Sequence, residues 1–185
     1  MLRIAFMVSI FIFSLAGKNH ALDKYDTYLV RAAIFFALFA DLFLILNESY
    51  EIYVIGIVSF SVCQLMHFWR FTDAKTFVKA LVALPVVFVI FPRGFDIVVR
   101  FSVIYIVCYL FAAAGAVRAY MIKKYDSPNR QMIVAAMLMY LISDINVLLY
   151  NSPRLFGYRE IFLFLIWIFC LPAHILLSLS KIKLR

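Results

Sequence analysis

The chain has 185 residues, 66% of them hydrophobic and 15% charged, with a formal net charge of +8 and a mean hydropathy of +0.99. A soluble domain of this size is about half apolar and a quarter charged, and a small sphere has too much surface to hide such an excess. The composition therefore excludes a soluble enzyme, and the positive charge reads as a topology signal rather than a nucleic-acid site. The connecting turns are too short to hold a further unit, so one transmembrane domain over residues 1–185 is expected.

The first apolar run, Leu2 to Ala16, has Arg3 near its start and small residues at Ser14-Leu15-Ala16, a pattern shared with signal peptides. Lys18, Lys24 and Arg31 come directly after it. Basic residues in that position oppose export of the downstream chain, so the run is read as a retained first helix. The second run, Tyr28 to Leu46, has the length of a span at ~1.5 Å rise per residue. It ends in the acidic turn Asn47-Glu48-Ser49-Tyr50-Glu51. The third, Ile52 to Trp69, carries Gly56, Phe60, Gln64 and His67 on one helical face. His67 is placed near its cytoplasmic end, within reach of the interface. Arg70, Asp73, Lys75 and Lys79 are assigned to the next loop.

The fourth run, Phe77 to Phe91, holds Pro85 in its interior, where proline commonly kinks a helix. The fifth, Ile97 to Val117, ends in Ala112-Ala113-Ala114-Gly115-Ala116, small residues that let two helices approach closely. A basic loop comes next, from Arg118 to Arg130. The sixth, Gln131 to Tyr150, puts Tyr140 and Asp144 one turn apart. The seventh, Glu160 to Ser180, aligns Trp167, Cys170, His174 and Ser178. Cys63, Cys108 and Cys170 all fall in apolar runs without metal-ligand spacing, so they read as small core residues; no metal and no cofactor is expected.

Seven spans place the loops on alternate sides. One side then collects Lys18, Lys24, Arg31, Arg70, Lys75, Lys79, Arg118, Lys123, Lys124, Arg130, Lys181, Lys183 and Arg185; the other keeps only Arg3, Arg93, Arg100, Arg154 and Arg159. The expected fold is an all-α polytopic bundle of about seven spans, with the N-terminus outside and the C-terminus cytoplasmic.

Of the ten acidic residues, only Asp41 and Asp144 are assigned to the interior of apolar runs. A carboxyl in hydrocarbon costs about 2.5–3.5 kcal/mol on insertion scales, so a chain that keeps two has a use for them. Each sits in an echoing stretch with an Asn where the run ends, Asn47 and Asn151. Spans two and six run in the same direction, and each is followed by a returning span with a polar residue, Gln64 and His174. The two hairpins form a weak parallel repeat, which would bring both Asp side chains to one central site. If the two are close, like-charge repulsion keeps at least one protonated, leaving a neutral acid beside a carboxylate or a second acid, a pair suited to general acid and base work on a lipid. Asp41 and Asp144 are the candidate catalytic residues. Gln64, His67, Tyr140 and His174 are candidates for support or substrate positioning, with Tyr140 placed to hydrogen-bond Asp144. The serines lack a nucleophile elbow, and no phosphate loop, dinucleotide fingerprint or haem motif occurs.

These residues resemble the YhhN-like family of integral membrane lysoplasmalogenases. The resemblance rests on Ala40-Asp41-Leu42-Phe43-Leu44, then Gly56-Ile57-Val58-Ser59-Phe60, then Ser143-Asp144, and the closing Leu171-Pro172-Ala173-His174-Ile175-Leu176. The chain departs from the family pattern in showing seven runs where about eight are common. It has Ala40 where Gly is usual, and Gln64 and His67 where His and then Tyr are frequent. The resemblance implies hydrolysis of the vinyl ether bond of lysoplasmalogens, with Asp41 and Asp144 dividing the acid and base roles. It also implies a lysophospholipid substrate drawn from the bilayer, with Arg100 and Arg154 nearest to hold its phosphate. Localisation to the cell membrane as a multi-pass protein is expected. Two other readings stay open: a small proton-coupled transporter with the Asp pair as proton site, and a lipid-binding membrane protein without turnover.

Overall fold

The computed structural model describes residues 2–15, 23–46, 49–90 and 94–183. Among the described residues, seven α-helices make up the fold: α1 (Leu2–Leu15), α2 (Lys24–Leu46), α3 (Tyr50–Phe71), α4 (Ala74–Ile90), α5 (Ile97–Met121), α6 (Asn129–Tyr150) and α7 (Arg159–Leu179), with a 3-10 turn, Pro153–Tyr158, leading into α7. The all-α membrane bundle expected from composition is present. Five of these helices, α2, α3, α5, α6 and α7, are long and apolar enough to cross a membrane. α1 has 14 residues and α4 has 17, so at ~1.5 Å per residue both fall short of a ~30 Å hydrocarbon core. Pro85 sits inside α4, which is assigned as a single helix.

The five long helices close a ring. α2 packs on α3, α3 on α5, α5 on α6, α6 on α7, and α7 back on α2. α1 lies against α2 and α7, and α4 leans on α5 and α3. The most extensive pairings are α2–α3 and α6–α7, the two hairpins of the expected repeat. Small residues allow these approaches. On α5, Ala112, Gly115, Ala116 and Ala119 are buried, and a Cβ on Gly115 would meet the Phe68 ring at 3.1 Å and Phe71 Cβ at 3.2 Å. On α3, a Cβ on Gly56 would lie 2.9 Å from the Leu44 side chain of α2. Val30, Ile34, Ala37 and Asp41 recur at helical spacing on α2 and are all fully buried. Asp41 thus belongs to the same inward stripe as the core residues beneath it.

Two assignments from the sequence are corrected at the basic end. Arg70 is not in a loop but in the last turn of α3, and it is buried. Asp26 is a third acidic residue within a span: α2 begins a turn earlier than its apolar run, and Asp26 is buried in that turn. The two form a bidentate pair, Arg70 Nε to Asp26 Oδ1 at 2.8 Å and Nη2 to Oδ2 at 2.9 Å. Arg70 Nη1 also donates to Ser180 Oγ at 2.8 Å. Tyr125 Oη lies 2.9 Å from both Asp26 Oδ1 and the Arg70 carbonyl, and Asn129 Nδ2 donates to the Ser180 carbonyl at 2.8 Å. The start of α2, the end of α3, the α5–α6 connection and the end of α7 therefore meet at one end. Lys75 and Lys79 belong to α4 rather than to a loop. Lys18, Asn47, Glu48, Arg93 and Arg185 lie outside the described residues.

The last carbonyls of α1, which a helix end leaves without internal partners, are held at the same end. Arg31 donates to Ser14 O at 3.0 Å and to Leu15 O at 2.9 Å, and Lys181 Nζ also donates to Ser14 O. Burial, reinforced by Arg31 and Arg70, pushes the Lys181 ammonium down to about 8 from 10.5.

This end of the bundle can be tested in two ways. Arg70→Met leaves Asp26 buried and unpaired, which costs about 3–5 kcal/mol, whereas Arg70→Met with Asp26→Leu recovers most of that loss; thermal unfolding in detergent reads both. Between pH 8 and 10.5 the unfolded chain holds the Lys181 proton and the folded chain does not, so stability rises with pH through that window. In Lys181→Met this part of the rise is absent, measured as the difference between the two pH profiles.

Candidate functional site

The network at the basic end gives a scale for depth. Asp41 and Asp144 each lie fifteen residues past one of its members, Asp26 and Asn129, or ~22 Å along their helices at 1.5 Å per residue. By this count the two carboxyls stand at similar height along their helices. Asp41 is fully buried; Asp144 is partly buried at the junction of α5 and α6. The Cys63 thiol of α3 is within electrostatic reach of both carboxyls, and the Tyr140 hydroxyl is within reach of Asp41.

Hydrogen bonding differs from the sequence reading in one respect. Tyr140 does not partner Asp144: its hydroxyl lies 2.7 Å from His174 Nδ1. The partner of Asp144 is Tyr105 of α5, whose Oη donates to Oδ2 at 2.7 Å. Tyr105 has no sequence signal, because a tyrosine within an apolar run reads as core. Phe60 of α3 packs beside it, with ring centroids 6.1 Å apart. One turn deeper on the same helix, Tyr109 Oη donates to the Met137 carbonyl at 2.8 Å. His67, expected near the interface, is fully buried, as are Gln64 and His174.

Gln64 and His67 make no hydrogen bond to either Asp; they lie deeper, between the Asp level and Arg70. Among the described residues, Gln64 Oε1 and Nε2, His67 Nδ1 and Nε2, and Ser178 Oγ have no hydrogen-bond partner. A buried polar group left in that condition costs about 1–3 kcal/mol. Five such atoms together rival the net stability of a whole domain, about 5–15 kcal/mol.

Two cavities open at the ends of the bundle. One, of about 630 Å³, adjoins the basic network and is lined by residues that include Asp26, Trp69, Arg70, Lys124 and Tyr125. There burial lowers the Lys124 ammonium and raises the Tyr125 hydroxyl from their usual values. The other, of about 650 Å³, lies at the opposite end between α3, α5 and α6, lined by Ser49, Tyr50, Tyr53, Val98, Ser102, Val147, Leu148 and Asn151. Ser102 and Val147 are each about one helical turn from Tyr105 and Asp144, so this cavity is the one next to a candidate carboxyl. Among the described residues, no Lys or Arg lines it. Arg100 is turned to α4, where it donates to the Phe88 carbonyl at 3.1 Å and sits 4.2 Å over the Phe88 ring. Cys63, Cys108 and Cys170 form no disulfide, and all three are buried.

A sequence model of the YhhN family matches residues 1–181. No curated protein and no solved structure matches the chain.

A double-mutant cycle tests the pairing described for Asp144. Tyr105→Phe and Asp144→Asn should couple by about 1–3 kcal/mol in thermal stability. Tyr140→Phe and Asp144→Asn should be additive within about 0.5 kcal/mol, because Tyr140 is bonded to His174.

Proposed function

The chain belongs to the YhhN family, and from that premise we propose that it is a membrane hydrolase of the lysoplasmalogenase type. It would cleave the vinyl ether bond of a lysophospholipid, with Asp41 and Asp144 as its acid and base. What supports the reading is the residue count that brings two carboxyls to similar height along α2 and α6 of the ring, with the Cys63 thiol within electrostatic reach of both. A vinyl ether is hydrolysed by protonation on carbon, followed by addition of water to the oxocarbenium ion. The reaction asks for a positioned acid and a carboxylate that steadies the cation and takes a proton from water. Tyr105 Oη donates to Asp144 Oδ2, so that oxygen is an acceptor, and the carboxylate role falls to Asp144. Asp41, set among Ala37, Ile34 and Val30 in the fully buried stripe of α2, takes the acid role.

The cavity between α3, α5 and α6 suits the headgroup. Six bonds separate the vinyl ether carbon from the phosphorus of such a lipid, about 7 Å at ~1.2 Å advance per bond. The cavity begins about one turn, ~5 Å, beyond Asp144. The hydroxyls of Tyr53 and Ser102 and the amide of Asn151 offer donors there, in place of the Arg100 expected from sequence. The basic end faces the cytoplasm in this reading, by the weight of Lys and Arg, and the cell membrane is the proposed location.

A proton-coupled carrier is the second reading. It is favoured by the succession of titratable groups along the ring, Arg70, His67, His174, Tyr140, Asp41 and Asp144. Substrate-dependent proton movement in liposomes, abolished in Asp41→Asn, would support it over hydrolysis.

Purified protein should release a fatty aldehyde from lysoplasmalogen. Asp41→Asn and Asp144→Asn should each lower that rate by about 10²-fold or more while keeping a cooperative thermal transition. Wild-type protein inert on lysoplasmalogens and related ether lipids would sink the proposal.

A further inference from the structure

Gln64, His67 and Ser178 carry unpartnered polar atoms, and all three side chains are fully buried on α3 and α7. Gln64 and His67 are three residues apart on α3, and His174 and Ser178 four apart on α7, so each pair shares one helical face. The bond from Arg70 to Ser180 sets the register between the two helices. Both run toward the basic end, and counting back from that bond puts His67 level with Leu177 and Ser178, and Gln64 level with His174. His67 and His174 are within electrostatic reach of one another. α2 touches both helices, and the electrostatic proximity of His67 to His174 puts the two buried faces in a common interior.

The chemistry of the set selects its occupant. Gln64 presents a donor and an acceptor, a neutral His67 ring a donor and an acceptor, and Ser178 both on one oxygen. A cation would leave the amide N–H and the imidazole N–H unanswered, and an anion would leave the amide oxygen and the imidazole acceptor unanswered. All three side chains are fully buried, so the occupant is small. Water meets these requirements, since a buried water makes about three hydrogen bonds to such groups. From these observations we infer that Gln64, His67 and Ser178 hold a file of water molecules that feeds the hydrolytic site from the basic end.

The file has a source and a destination. Below it stand Arg70 and Asp26, which also line the 630 Å³ cavity at that end. Above it His174 meets Tyr140 at 2.7 Å, and the Tyr140 hydroxyl is within electrostatic reach of Asp41. This role rests on the hydrolase reading. Each turnover consumes one water: its oxygen bonds to the oxocarbenium carbon and leaves as the aldehyde oxygen. One of its protons ends on the glycerol hydroxyl, and the other restores the acid that protonated the vinyl carbon. The lipid enters from the membrane and from the opposite cavity, so a separate supply from the basic end lets water reach a site whose other approach is filled by substrate.

Two readouts test the file. Radiolytic footprinting in ¹⁸O-labelled water oxidises side chains that touch bound water, whether or not the protein turns over. His67 and His174 should be labelled at a rate within threefold of exposed Tyr158 and well above buried Tyr109. Gln64→Leu with Ser178→Ala should lower their labelling at least fivefold, and Gln64→His, which retains a donor and an acceptor, should preserve it. No labelling of His67 and His174 in the wild-type protein overturns the file. In the aldehyde assay the same double variant should lose at least tenfold in kcat with KM within twofold, and Gln64→His should keep kcat within threefold. Labelled histidines with an unchanged kcat in the double variant overturn the supply role. Labelled histidines in a wild-type protein that releases no aldehyde retain the water site and reject the hydrolase reading. Proton leak through wild-type vesicles that is lost in the double variant reassigns the file to proton conduction.

Discussion

The buried guanidinium of Arg70 is the constraint on which the arrangement depends. Its hydrogen bonds tie α3 to the first turn of α2 and to the residue just past α7, so three helices are fixed in height by one side chain. In a bilayer no water is at hand to satisfy a stray charge along the span, and removing one partner of such a pair is far more costly than removing both. The register is therefore specified more sharply than apolar packing alone would specify it, because leucine against leucine is as favourable one turn up as one turn down. Asn129, bonded to the same Ser180, brings α6 into that register.

Everything higher in the ring inherits its position from this end. Asp41 and Asp144 come level because each lies the same number of residues above a member of the network. Gln64 comes level with His174, and His67 with Leu177 and Ser178, for the same reason. The small residues of α5 and Gly56 of α3 then draw the walls together. α5 and α6 pack less extensively than the two hairpins, and it is at their junction that Asp144, Tyr105 and the 650 Å³ cavity lie. A loosely packed seam of the ring thus carries a candidate carboxyl.

Much of this was legible in the sequence, for physical reasons. A carboxyl inside an apolar run stands out because its burial is costly, so Asp41 and Asp144 could be read without a structure. The charge asymmetry between loops marked the alternation of helix ends, and the Ala-Gly segment of α5 marked a close approach. What escaped was of two kinds. Asp26 and Arg70 lie at the margins of apolar runs, where a charged residue ordinarily means that the helix has ended; their pairing spans 44 positions and leaves no local pattern. Tyr105 escaped because a phenol ring in an apolar run packs like any aromatic, and only the facing Asp144 gives its hydroxyl a purpose. The pairing of Tyr140 with Asp144 was inferred from a one-turn separation, but the hydroxyl instead finds His174 on α7. Gln64 and His67 were placed on the right face, but their burial and unmet hydrogen-bonding needs emerge only once α7 is set opposite them.

A protein held in register at one end thus carries its proposed reaction near the other. The central claim is carbon protonation by a buried carboxyl followed by attack of water. The most direct test is the fate of isotopes during turnover of a lysoplasmalogen in deuterated, ¹⁸O-labelled water, with the product reduced as it forms. The predicted result is one deuterium on the carbon adjacent to the former carbonyl and ¹⁸O on the former carbonyl carbon, with none in the glycerol product. Label on the glycerol oxygen, or aldehyde without deuterium on carbon, would contradict it.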